Sequence, residues 1–140
     1  MIDFALEGKV AIVTCASRGL GRAAAIALAE QGASVLAVAR STEELEQLAA
    51  DFPGLVASQT CDMQDRAAVA ALPQMAIDRF GRLDVVINNA GIAPAGAFLD
   101  QSESEWDRVL AVNITAPAVL ARAAGKHMVA QGAGKIINIA

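Results

Sequence analysis

The sequence predicts an α/β domain, a doubly wound parallel sheet with helices on both faces. Short apolar, β-branched runs alternate with longer helical patterns along the whole chain. Glycine or proline punctuates most junctions between them. The length of 140 residues suits a single domain spanning 1–140, able to remove about 68–70% of its unfolded surface from water.

Lys9–Thr14 reads as a first strand, almost wholly apolar, as expected where both faces are buried. A glycine-bearing turn follows, then a helix over Arg22–Gln31 closed by Gly32. Ser34–Ala39 is the second strand. Ser41 and Glu44 have the spacing of a capping box and start a helix running to Asp51. Leu55–Thr60 is a third strand and Asp65–Phe80 a third helix, which Pro73 is expected to kink or interrupt. Leu83–Asn88 is the fourth strand. Ser102 and Glu105 form a second capping-box pattern before a long helix to about Ala130, and Lys135–Ile139 is the fifth strand. Such a chain is expected to order its strands 3-2-1-4-5 and to bind a ligand at the switch between strands one and four.

Composition narrows the function. An apolar fraction of 55% excludes a disordered chain. The net charge of −4 offers no basic footprint for nucleic acid or an anionic membrane. The uncharged stretches Val85–Leu99 and Val109–Ala121 fall short of the ~18 apolar residues of a membrane span. The start, Met1-Ile2-Asp3-Phe4, has no leader pattern, so a cytoplasmic domain is expected. Cys15 and Cys61 make neither a disulfide framework nor a metal site, and strand two is expected to separate them. His127 near a helix end, Trp106 on an amphipathic face and Asp84 beside the backbone are expected to be structural.

The chemistry is concentrated in Thr14-Cys15-Ala16-Ser17-Arg18-Gly19-Leu20-Gly21, between strand one and helix one. Glycines there let backbone N–H groups approach a pyrophosphate at a helix N-terminus. This segment resembles the TGxxxGxG fingerprint of the short-chain dehydrogenase/reductase family, in the form typical of its ketoacyl-carrier-protein reductase branch. Asn88-Asn89-Ala90-Gly91 is similar to that family's NNAG motif, Cys61-Asp62 to its acidic adenine-contacting position, and Val112-Asn113 to its catalytic asparagine. The resemblance covers essentially the whole chain. It implies a Rossmann-type cofactor domain contacting the dinucleotide through Thr14, Cys15, Ser17, Arg18, Gly19, Leu20, Gly21, Arg40, Asp62, Met63, Asn89, Ala90 and Gly91. Asn113 is then the catalytic residue present, holding a water in a proton relay; the other reading is a polar residue bending the helix near Pro117.

Two departures from the family pattern matter. Cys15 replaces the first glycine of the fingerprint. It is expected in a turn of negative φ that tolerates a small side chain, the alternative being that its sulfur intrudes on the dinucleotide's space. The resemblance also implies a serine just past strand five and a Tyr-x-x-x-Lys helix after it, with the tyrosine as general acid/base. Ala140 is the last residue and the sequence holds no tyrosine, so this chain is expected to stop before those groups and to be inactive alone.

A 2′-hydroxyl reader would be an Asp or Glu about 20 residues past the glycines. That count reaches Arg40, with no acid before Glu43, so NADP(H) is expected over NAD(H). The parent protein is thus expected to be an NADP(H)-dependent oxidoreductase acting on a small carbonyl or secondary alcohol, as a homo-oligomer. A noncatalytic nucleotide-binding or regulatory module and a structural fragment stand as alternatives.

Overall fold

The computed structural model describes residues 5–140; the Met1–Phe4 start read above lies outside them. In chain order the elements are β1 (Val10–Thr14), α1 (Gly19–Glu30), β2 (Ser34–Ala39), α2 (Thr42–Asp51) and β3 (Val56–Thr60). Then come α3 (Arg66–Phe80), β4 (Val85–Asn88), α4 (Glu103–Leu110), α5 (Ala116–Gln131) and β5 (Lys135–Asn138). A 3-10 turn, Phe98–Asp100, precedes α4, and a π-helical turn, Ala111–Thr115, joins α4 to α5. The sheet order is β3-β2-β1-β4-β5, as expected, with every pairing parallel.

Strand periodicity divides the core into two layers. Val10 and Ile12 of β1, with Leu36, Val38 and Val86, pack under Leu72 of α3 and Leu120 of α5. The intervening Val13, with Val35, Ala37 and Ile87, packs against Ala25 of α1 and Leu45 and Leu48 of α2. Alanine has a specific use here. The buried stripe of α1 is Gly21, Ala25 and Ala29, and side chains this small let the helix lie close on the sheet. Among the described residues no helix is long and apolar enough to cross a membrane.

Helix boundaries follow their end chemistry, with three corrections to the sequence expectation. The first helix starts at Gly19 rather than Arg22, because the glycine turn is itself the first helical turn. Ser41 is the N-cap of α2, but its side chain makes no capping bond, so the Ser41–Glu44 box does not form. The Ser102–Glu105 box does: Glu105 N–H donates to the Ser102 hydroxyl at 3.2 Å, and Ser102 N–H donates to Glu105 Oε2 at 2.9 Å. Pro73 does not interrupt α3, which runs 15 residues from an Asp65 cap to Gly81 at φ 90°. One missing N–H costs the helix one internal bond. Burial of Val69, Leu72, Pro73 and Ala76 on the sheet offsets that loss.

The long helix widens into a π turn at the level of Asn113. Ala116 N–H bonds Ala111 O, a five-residue reach, and Pro117 has no N–H to donate. The Asn113 carbonyl, whose α-helical donor would be the N–H of residue 117, therefore loses that partner.

At the N-terminal edge of the sheet, Asp84 ties three strands together. Its backbone N–H donates to Val10 O and its carbonyl accepts from Lys135 N–H, both at 2.8 Å. Its carboxylate accepts from Val10 N–H at 2.9 Å and from Arg82 at 2.8 and 2.6 Å. Burial pushes the carboxyl up, but the Arg82 bonds, the Val10 N–H and the charges of Arg82 and Lys9 outweigh it, leaving the group below its usual range. A lowered native pKa means this stabilisation is complete above the unfolded value of about 3.9 and is lost as pH falls through the native one. Asp84→Asn is expected to lower the unfolding free energy at neutral pH by about 1–3 kcal/mol. The difference should shrink in denaturant melts run progressively below about pH 4, and a pH-independent difference would contradict the assignment.

Candidate functional site

The crossovers from β1 and β4 leave on opposite faces of the sheet and open a crevice between the strand ends. Thr14 closes its floor. The buried hydroxyl donates to Ile87 O at 3.4 Å and accepts the N–H groups of Asn89 at 3.0 Å and Ala90 at 2.9 Å. The Asn89 side-chain amide donates back to the Thr14 carbonyl at 3.3 Å and, more weakly, to that of Cys15 at 3.5 Å.

From this tie the chain turns into α1. A Cβ on Gly21 would sit 2.6 Å from the Asn89 amide nitrogen and would collide with the Cys15 carbonyl oxygen, so this position takes only glycine. The α1 N-terminus has Arg18 as its N-cap, with no side-chain capping bond and no acid in the first turn. The N–H groups of Gly19, Leu20 and Gly21 thus begin a helix without an anionic partner from the protein, at the end where the helix dipole favours one.

Cys15 overturns the expectation of negative φ. At φ 54° it is the one non-glycine residue in the left-handed region among the described residues. The turn requires this because the next N–H, that of Ala16, bonds Val38 O at 3.0 Å, while the Cys15 carbonyl faces Asn89 and the start of α1. The half-buried Cys15 and the buried Cys61 are both free thiols. Cys61 N–H bonds Ala39 O, which places β2 between them. Burial, with Asp65 and Asp62 nearby, pushes the Cys61 thiol up, so it remains protonated.

Above the strand ends lies a cleft of about 620 Å³, its solvent-open part included. Of the residues singled out from sequence, Cys15, Ser17, Arg18, Arg40, Asp62, Met63, Ala90 and Gly91 line it. Thr14 and Asn89 lie beneath as its ties, and Gly19, Leu20 and Gly21 form the adjoining helix start. Asp62 Oδ1 accepts the Gln64 N–H at 2.9 Å and thereby shapes the turn leaving β3. Asn113 does not line the cleft. Its amide is engaged with the Ile92 backbone, accepting from the N–H and donating to the carbonyl, both at 2.8 Å.

Sequence reasoning missed Ser41, Gln64, Ile92 and Arg108, which also line the cleft. Gln64 and Ile92 directly follow motif residues and were within reach of the argument. Arg108 arrives from another element, and no local pattern marks it.

A family model described as short chain dehydrogenase matches residues 9–140. This chain belongs to the short-chain dehydrogenase family. D-threitol dehydrogenase of Mycolicibacterium smegmatis is 39% identical over 141 residues, covering 99% of this chain and 54% of that protein. The 2-dehydro-3-deoxy-D-gluconate 5-dehydrogenase of Escherichia coli is 40% identical over 140 residues, covering 98% of this chain and 55% of that one. The chain thus spans about half the length of these curated relatives. A solved metagenomic short-chain oxidoreductase in complex with NADP superposes with a TM-score of 0.91 at 39% identity, covering 97% of this chain and 63% of that one.

Within this family scaffold the left-handed Cys15 is strained by about 1–2 kcal/mol, which glycine would not bear. Part of that gain is offset by glycine's greater unfolded-state freedom, about 0.4–1 kcal/mol. Cys15→Gly is therefore expected to raise stability by roughly 0.5–1 kcal/mol, read as a higher thermal midpoint, whereas Gly21→Ala should lower it. A Cys15→Gly midpoint below that of the unsubstituted chain would contradict the strained-turn account.

Proposed function

We propose that this chain is the cofactor-binding portion of an NADP(H)-dependent oxidoreductase that interconverts a small carbonyl compound and its secondary alcohol. The observation that carries the cofactor preference is Arg40, which lines the cleft just past β2, where an acid would read a 2′-hydroxyl. Arg40 instead suits a 2′-phosphate, with Arg18 on the same cleft as a second cation. The α1 N-terminus, free of acids and capping side chains, suits the pyrophosphate. The NADP held by the metagenomic relative supports the same reading.

Bound there, the nicotinamide would supply or accept the hydride, and the chain's own residues would hold the cleft that orients it. Thr14 and Asn89 fix the strand ends, and Asn113 clamps Ile92 at the end of the Asn89–Gly91 segment. Because the Asn113 side chain is spent on Ile92, its contribution to a proton relay falls to its carbonyl, which Pro117 deprives of a helical donor. That carbonyl is an acceptor available to a water. The proton itself needs a positioned acid, which typically contributes ~10²–10⁴-fold. The chain contains no tyrosine, so by itself it is expected to bind cofactor and not turn over. Leu110, Ile114 and Val129, exposed along α4, the π turn and α5, suit association with a second copy.

Calorimetric titration with NADPH and NADH tests the reading. NADPH should bind more tightly, and Arg40→Asp should move the preference towards NADH. Equal or tighter NADH binding by the unsubstituted chain would overturn it, as would NADPH oxidation by this chain with any ketone.

A further inference from the structure

Three arginines line the cleft, Arg18, Arg40 and Arg108. None takes part in any of the ion pairs among the described residues. The nucleotide reading uses the first two, which stand beside the α1 N-terminus and the end of β2. Arg108 has no task in it. It comes from the last turn of α4 and reaches the cleft together with Val112 of the π turn and Ile92 of the loop after β4.

Its surroundings differ from those of the other two. Asp62, Met63 and Gln64, from the end of β3, line the same cleft. The walls contributed by Met63, Ala90, Ile92 and Val112 are apolar, unlike a phosphate subsite. An apolar slot with a few polar groups at its edge suits a flat heteroaromatic ring. A guanidinium is planar and more weakly hydrated than an ammonium, so it stacks readily on such a ring.

Arg108 is also exposed and makes no ion pair among the described residues. Its nearest helical partner would be Glu105, one turn earlier, whose carboxylate is held by the N–H and hydroxyl of Ser102 at 2.9 and 3.1 Å and feels the Arg108 charge only at longer range. Arg108 also lines a second hollow, with Pro94, Ala95, Glu105 and Val109, so its side chain stands on the wall between two spaces.

Resting on the nucleotide reading above, we propose that Arg108 is a base-stacking residue that closes over the purine of the bound nucleotide and sets its affinity for the adenine end. The interaction depends on the plane of the guanidinium more than on its charge. That separates it from the phosphate contacts of Arg40.

The test titrates adenosine 2′,5′-bisphosphate, which carries base and 2′-phosphate without nicotinamide, into the unsubstituted chain and into Arg108→Ala, Arg108→Lys and Arg40→Ala over a range of salt concentrations. Thermal melts accompany each titration, since Arg108 is exposed and its variants should melt with the parent. Both Arg108 variants should bind about tenfold more weakly, with the parent's salt dependence, whereas Arg40→Ala should flatten that dependence. Full affinity in Arg108→Lys, or a flattened salt dependence in Arg108→Ala, would make Arg108 a charge contact and overturn the proposal. Unchanged affinity in Arg108→Ala, with binding by the parent, would overturn it while leaving the nucleotide reading intact. No binding by the parent would overturn both.

Discussion

At the C-terminal edge of the sheet the Thr14 hydroxyl gives one hydrogen bond to Ile87 O and receives two, from the N–H groups of Asn89 and Ala90. Ala90 lies past the end of β4, beyond the strand ladder, while the Asn89 N–H is shared between this hydroxyl and Ile87 O at 3.1 Å. Left unpaired, the Ala90 N–H would cost about 1–3 kcal/mol. The one hydroxyl therefore sets the direction in which the loop after β4 leaves the sheet. The Asn89 amide closes the arrangement from the other side by meeting the carbonyls of Thr14 and Cys15. That contact in turn brings α1 so near that only glycine fits at position 21.

The far end of the same loop is held by the Asn113 amide on Ile92. That clamp stands in the π turn that precedes Pro117. A π turn and a loop anchor thus coincide at one residue. The cleft wall from Ala90 to Ile92 is fixed at both ends, while Arg18, Arg40 and Arg108 around it stay exposed and unpaired. A fixed backbone ringed by exposed cations suits the proposed recognition of a polyanion carrying a flat base. The opposite edge of the sheet does different work. There Asp84 links β1, β4 and β5 and bears on stability rather than on the ligand.

The sheet order was legible because strands buried on both faces read as apolar runs, and alternating helices leave few topologies. The glycine turn and the segment after β4 were legible because tight backbone turns leave a local mark in glycine and asparagine spacing, and Arg40 because it directly follows the second apolar run. What failed was whatever depended on partners distant in sequence. Pro73 reads as a breaker, yet core packing carries α3 through it. Ser41–Glu44 and Ser102–Glu105 have identical spacing, and only the second forms a box. The φ of Cys15 is imposed by Val38 and Asn89, which no window around residue 15 contains. Arg108 meets the cleft only through the tertiary placement of α4. Its sequence neighbours give no hint of a ligand.

The central claim is that the Thr14 hydroxyl organises the nucleotide cleft. Thr14→Val keeps the shape and removes the bonds, so it is the most direct test. Amide hydrogen exchange at Asn89 and Ala90, followed with and without NADPH, reports the tie and the ligand together. The account predicts that the Ala90 amide loses protection in the variant, the Asn89 amide less so because it keeps Ile87 O, and that NADPH binds at least about tenfold more weakly. Wild-type protection at both amides together with wild-type NADPH affinity would contradict it.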